Sequence, residues 1–237
     1  MIVADFRYMI NAVLKEKADI QRNEDVKTSS IIGLLTLLPA ELFWKLLKSS
    51  LSEQNRLPVS SGDILAIEFW PHWYVGDTDV EVTNENFVEP DVYIEFESFN
   101  LIIEAKLDGN FQYEQQWTNQ VCAYKSNIES DKQLVYIALG GNKSHEPCTL
   151  SHGRAKGHRI NRCSWQRLLE AIHYEANFQE SEPYMYNRQI LRILRMAEQA
   201  FTIYGERVTL WLESIPVHLA TIKSDQLDKI REVWKIN

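Results

Sequence analysis

Between Asp91 and Lys106 the chain alternates apolar and polar positions on both sides of a short turn-like stretch near Glu97 to Asn100. Alternation with a period of two puts successive side chains on opposite faces of a strand, so this segment predicts a β-hairpin. With the turn centred between Ser98 and Phe99, paired positions sum to 197, so Asp91 faces Lys106 and Tyr93 faces Glu104. One face then carries Val92, Ile94 and Phe96 with Leu101, Ile103 and Ala105, a wholly apolar surface suited to covering helices. The other face gathers Asp91, Tyr93, Glu95, Ile102, Glu104 and Lys106 and is expected to carry chemistry.

Helical spacing of apolar residues marks residues 5–18, and Asn23 is placed to cap a second helix whose first turn holds Glu24 and Asp25. Pro39 is expected to end or bend that helix, and Glu41 to Leu51 reads as the next one. Ile64 to Tyr74, rich in β-branched and aromatic residues, reads as one strand, and Gln133 to Leu139 as another after the hairpin. A helix over Phe111 to Lys125 connects the hairpin to that later strand. Ile160 to Cys163 adds a short edge strand, and helices follow at Trp165 to Asn177, Tyr184 to Tyr204 and Ser224 to Trp234. This order predicts an α/β chain with a mixed central sheet flanked by helices, in a single domain over 1–237 that ends in a helical extension over about 183–237.

Composition narrows the functional classes. A hydrophobic content of 45% in 237 residues can fill a sizeable core. Lys and Arg number 25 against 33 Asp and Glu, a net charge of −8, so attraction to a polyanion has to be local. Cys122, Cys148 and Cys163 are odd in number and widely spaced, which suits a reducing compartment and a cytoplasmic location. The amino terminus lacks a basic stretch followed by a long apolar one, and Ile31 to Trp44 is too short and interrupted to span a bilayer.

Two carboxylates and a lysine on one sheet face suit metal-assisted hydrolysis of a phosphodiester. Mg²⁺ prefers oxygen ligands and keeps several waters, so Asp91 and Glu104 can hold it without a dedicated cage. Lys106 is placed to orient or help deprotonate the attacking water and to offset phosphate charge. The same three residues would also form a cross-strand ion-pair ladder on a solvated face, worth roughly 0.2–1 kcal/mol per pair.

Pro90 and Asp91 followed by Glu104, Ala105 and Lys106 resemble the signature of the PD-(D/E)XK nuclease superfamily, which has the restriction-endonuclease-like fold. Gln120 and Tyr124, four apart in the helix after the hairpin, look like the glutamine-to-tyrosine motif of its exonuclease and resolvase branches, and Gln116 lies one turn earlier. The resemblance covers about residues 23–177 and implies a deoxyribonuclease dependent on Mg²⁺ or Mn²⁺, acting in repair, recombination, restriction or defence. It makes Asp91, Glu104 and Lys106 catalytic, and Asp91 and Glu104 metal ligands. An acidic residue in an early helix is implied as a further ligand, with Glu24 first and Asp25 second. It also points to nucleic-acid contacts at Gln116, Gln120 and Tyr124. Glu24 and Asp25 equally suit the electrostatics of a helix start, and the glutamines equally suit an ordinary helix flank.

The stretch from Gly140 to Arg162 carries Lys143, Arg154, Lys156, Arg159 and Arg162 against Glu146 alone. As a local cationic device it would let Arg154, Lys156 and Arg159 contact phosphates; as a solvated loop it would do nothing. DNA is the expected partner, with a homodimer or protein partner contacting the late helices. The competing function is a catalytically inactive domain of the same fold that binds nucleic acid or protein.

Overall fold

The computed structural model describes residues 23–74, 87–107, 109–181 and 188–208. Among the described residues there are eight strands: β1 (Ile64–Phe69), β2 (Trp73–Tyr74), β3 (Phe87–Val88), β4 (Val92–Phe96), β5 (Phe99–Ala105), β6 (Gln133–Leu139), β7 (Cys148–Thr149) and β8 (Arg159–Cys163). The helices are α1 (Glu24–Leu35), α2 (Ala40–Ser49), α3 (Glu114–Asn127), α4 (Trp165–Ser181) and α5 (Arg188–Ile203). The helices expected at 5–18 and at Ser224 to Trp234 lie outside the described residues.

Six strands form one mixed sheet in the order β1-β4-β5-β6-β8-β7, the α/β architecture expected from the order of elements. β4 runs antiparallel to β1 and β5, whereas β5, β6 and β8 run parallel. α3 is the connection from β5 to its parallel neighbour β6, since parallel strands need a long crossover. β8 corrects the expectation of an edge strand: it lies between β6 and β7, and its inner position uses both of its hydrogen-bonding sides. The stretch from Gly140 to Arg162 is therefore partly sheet.

The hairpin register differs from the expected one by two residues. Val92 pairs with Ile103 and Glu95 with Asn100, so paired positions sum to 195. The turn is the dipeptide Glu97–Ser98, tied back by Glu97 N–H to Asp63 O at 3.0 Å and Ser98 N–H to Ser61 O at 3.1 Å. Phe99 joins the strand because its ring stacks on Phe96 with centroids 4.7 Å apart. A two-residue shift keeps every side chain on its expected face.

The expected strand Ile64 to Tyr74 is broken. Trp70 takes a left-handed φ of 52° ahead of Pro71, and Trp73–Tyr74 pairs instead with Phe87–Val88 in a separate two-stranded ribbon. Trp73 turns into the core against Tyr93 and Tyr124, with ring centroids 5.3 and 6.0 Å away.

Both sheet faces are covered, the one expected to carry chemistry as well as the one expected to be core. On the Phe96 and Phe99 side, α2 packs Phe43 and Trp44 against those two rings, 6.3 and 4.6 Å between centroids. α4 packs on α2, and α5 packs on α4 and α1. On the other side, Val121, Ala123 and Tyr124 of α3 seal Tyr93, Ile102, Tyr136 and Ile160. Polar residues on that face are therefore buried under α3 or confined to the ends of the strands. Among the described residues no helix is long and apolar enough to cross a membrane.

α1 begins as expected. Asn23 has extended backbone and its side-chain oxygen accepts from Val26 N–H, satisfying one of the unpaired donors of the first turn. The cap fixes where Glu24 starts its helix. Asn23→Ala is expected to cost about 1 kcal/mol, which for a domain of this size lowers the thermal midpoint by about 2–4 °C; calorimetry of the two proteins measures it, and an unchanged midpoint would contradict the capping role.

Candidate active site

Because β4 and β5 are antiparallel, the start of one lies beside the end of the other, and Asp91 precedes β4 where Glu104 and Ala105 finish β5. Asp91 Oδ2 accepts the Ala105 N–H at 2.7 Å, which fixes the carboxylate across the strand end. Glu104 is 1% exposed, and its carboxylate accepts three side-chain donors: Lys106 Nζ and Gln116 Nε2 on Oε1, and Gln120 Nε2 on Oε2, each at 2.6 Å. Lys106 Nζ also donates to Glu24 Oε1 at 3.0 Å and to Ala105 O at 3.1 Å. Asp91, Glu104, Lys106 and Glu24 thus converge at the carboxyl end of β5, the side of an open α/β sheet where ligand sites form. The solvated ion-pair ladder is excluded by this burial.

Glu24 stands beside the lysine rather than among free ligands. Its Oε2 accepts Leu107 N–H at 2.9 Å and the Asn110 amide at 3.3 Å, and its Oε1 is taken by Lys106. One oxygen of Glu24 therefore serves the Lys106 ammonium, and the other the Leu107 N–H and the Asn110 amide that follow it. Asp25, its expected alternate, has its carboxyl raised above the usual value by burial and then by the Glu24 charge, with Lys106 opposing.

Gln116 and Gln120, expected as nucleic-acid contacts, reach the site by donating to the Glu104 carboxylate. Gln120 is 1% exposed, donates to Glu104 and accepts from the Tyr136 hydroxyl, so its amide is locked in one orientation. Tyr124 is buried with its hydroxyl accepting the Asn100 amide at 2.6 Å, so it has no surface to offer a nucleic acid. The cause is the position of α3 over the sheet, which buries Gln120 and Tyr124 and leaves Gln116 partly exposed.

Five contributors went unrecognised in the sequence. Gln112 donates to Glu104 O at 3.0 Å and Gly140 O at 3.3 Å, and Trp117 Nε1 holds its other end at 2.8 Å. Trp165 Nε1 donates to Lys106 O at 2.9 Å. Gly140 and Gly141 have φ of +74° and +63°, and a Cβ on Gly140 would stand 2.1 Å from Lys106 O. Only glycine accepts both the left-handed backbone and that approach. The Gly140–Gly141 doublet after a strand and the four-residue spacing that joins Gln112 to Gln116, Gln120 and Tyr124 were the available signals.

Arg154, Lys156 and Arg159 are not brought to this site. β8 is parallel to β6 and β5, and pairing of Ile160 with Tyr136, itself level with Ile102, puts Arg159 toward the opposite end of the sheet from Lys106. Arg159 pairs with Glu53 at 2.8 Å, while Arg154 and Lys156 are exposed around a short 3₁₀ turn whose Arg154 O accepts from Lys125 at the far end of α3.

Electrostatically the site carries more negative than positive charge. Burial, then the Glu104 charge, raise the Asp91 carboxyl well above its usual value, against the Ala105 N–H and Lys106, which lower it. Burial also raises Glu104, opposed by the charge and hydrogen bond of Lys106 and by Gln120. Burial alone would lower Lys106, but Glu104, Asp91 and Glu24 outweigh it and keep the ammonium protonated. Among the described residues no cation forms an ion pair with Asp91; the Lys106 ammonium is paired with Glu104 and Glu24.

The donor set fits a hard divalent cation. It is all oxygen, Asp91 Oδ1 accepts no hydrogen bond from the described residues, and Glu104 retains acceptor capacity on Oε2, which takes one donor where Oε1 takes two. Among the described residues no group of three or more His, Cys, Asp or Glu forms a metal cage, so any such ion would rest on two carboxylates, with water and substrate filling the remaining positions. No protein-family model matches the chain, and comparison with curated proteins gives no match.

The Asp91 shift has a measurable sign. Its folded-state pKa lies above the usual 3.8, so the native state binds the proton more tightly, and that contribution to stability is complete below about pH 4 and lost as pH rises through the folded value. In chelator-treated protein the melting temperature of Asp91→Asn should therefore gain on that of the wild type as pH rises from 4, then hold a constant lead. A lead that shrinks with rising pH would contradict the burial of an ionised Asp91.

Proposed function

We propose that the chain is a metal-dependent nuclease that hydrolyses phosphodiester bonds, with DNA the substrate implied by its resemblance to the PD-(D/E)XK superfamily. The observation that carries this reading is the meeting of Asp91, Glu104 and Lys106 at one strand end, with Glu104 buried yet held by a lysine and two glutamines. A ladder kept for stability would lie in water; here a buried pair bears the desolvation cost of two ions, which makes it weak as a stabiliser.

Asp91 and Glu104 would hold a Mg²⁺ or Mn²⁺ ion, which polarises the phosphate and lowers the pKa of a bound water. Lys106 keeps its proton and presents an ammonium to the negative charge that builds on the phosphate. Its bond to Glu104 aims that charge at the carboxylate pair, and Glu24 and Trp165 hold the segment from which it projects. Gln116 and Gln120 fix the Glu104 rotamer, and Tyr136 fixes Gln120, so the carboxylate needs no rearrangement to work.

Labelled circular and linear DNA and RNA, incubated with Mg²⁺, Mn²⁺ or chelator, test this reading. Cleavage should require the cation, Asp91→Asn and Glu104→Gln should abolish it, and Lys106→Ala should lower it by about 10²-fold or more. Circular dichroism of the same preparations must show each variant folded at the assay temperature. Full activity in either carboxylate variant, or cleavage in chelator, would contradict the assignment.

A further inference from the structure

Beside Glu104, α3 and the end of β3 frame a cavity of about 360 Å³, lined by Val88, Glu89, Tyr113, Gln115, Gln116, Asn119 and Gln120. That volume is in the range of small-ligand sites. Gln116 and Gln120 are the two amides that hold Glu104, so one wall of the cavity is also the support of the candidate active site.

The lining selects the class of occupant. It contains no lysine or arginine, and its one carboxylate, Glu89, is 2.9 Å from His72 Nε2. A phosphate would find no cation there. What the cavity offers is an aromatic ring, an apolar Val88 and amides. Gln115 Nε2 donates to Asn119 Oδ1 at 2.9 Å, which leaves Gln115 Oε1 as an acceptor beside Asn119 Nδ2 as a donor. A flat heterocycle with acceptor and donor groups on its edge matches that pair, as amide side chains match base edges in nucleic-acid complexes.

Tyr113 is 61% exposed and Phe111 53% exposed, and Lys143 Nζ is 5.3 Å from the Phe111 ring centroid. Between them Gln112 is anchored on Glu104 O, and its own N–H reaches Gly141 O at 3.3 Å. Two aromatic side chains are thus open to solvent while the backbone that carries them is pinned to the strand end bearing the carboxylates. Core packing does not account for rings in that position.

Resting on the nuclease reading above, we propose that this cavity receives one unpaired nucleobase of the strand being cut, stacked on Tyr113 and hydrogen-bonded by Gln115 and Asn119. The substrate is then single-stranded at the scissile phosphate. A base in a duplex has its faces stacked and its pairing edge used, and it would have to be flipped out at a cost of unstacking before it could enter.

Binding of the full-length Asp91→Asn protein, in chelator, to three fluorescent probes decides the matter: a single-stranded DNA oligonucleotide, the same strand annealed to its complement, and a strand of equal length built of abasic residues. The single strand should bind more tightly than both others. Adding Tyr113→Ala should weaken single-strand binding about 5- to 100-fold, leave the abasic strand unaffected, and be rescued by Tyr113→Phe. Equal affinity for single strand and duplex, or an equal loss on the abasic strand, would overturn the proposal. Failure of the wild type to cleave any probe with Mg²⁺ or Mn²⁺ would sink the nuclease reading instead, because the binding comparison uses neither metal nor turnover.

Discussion

Glu104 is a carboxylate held at 1% exposure at the end of a central strand, and three nitrogen donors from two elements keep it there. Removing a carboxylate and an ammonium from water costs several kcal/mol per ion even after relaxation. The arrangement therefore depends on donors that are already in place. Lys106 comes from the same strand end, Gln116 and Gln120 from α3, and Tyr136 of β6 locks the second glutamine. Without α3 lying across the sheet, Glu104 would be solvated and the site would reduce to an ordinary surface ion pair.

The lysine side is built with equal economy of space. Lys106 N–H donates to Leu139 O at 2.8 Å, continuing the β5–β6 ladder, and its carbonyl accepts from Trp165 at 2.9 Å. The Gly140–Gly141 turn passes so close that any side chain there would collide with Lys106. α1 adds Glu24 on the ammonium and, one turn on, Lys27, whose Nζ is 4.5 Å from the Trp165 ring and also pairs with Glu206. Glu104 at the strand end and Glu24 at the helix start thus hold the ammonium, while the glycine turn closes on the backbone and stem of the same lysine; preorganised charge stabilisation requires such fixed positions.

Period-two alternation made the hairpin and its faces legible, because a face assignment survives any even shift in register; the two-residue error in the turn left Asp91, Glu104 and Lys106 together. The Asn23 cap and the run Gln133 to Leu139 were readable for local reasons, a side chain bonding its own helix and an apolar strand bounded by polar residues. What escaped were consequences of long-range packing. That the polar face would lie under α3, that β8 would be internal, and that Trp70 would break a β-rich run are decided by neighbours distant in sequence. The same holds for Tyr124: its spacing from Gln120 matches a motif, but burial among Trp73 and Tyr93 makes it a packing residue. The cations of the Gly140 to Arg162 stretch were visible as composition, and only the parallel pairing of β6 and β8 shows that Arg159 starts away from the carboxylates.

That Asp91 and Glu104 hold a divalent cation is tested most directly by titrating Mn²⁺ into the protein and following the free ion by electron paramagnetic resonance. The wild type should show a saturable site that Mg²⁺ displaces, weakened at least about 10-fold in Asp91→Asn and in Glu104→Gln and unchanged in Arg159→Gln. Mn²⁺ binding that is the same in all four proteins would place the metal elsewhere and leave the buried carboxylates without the role given to them here.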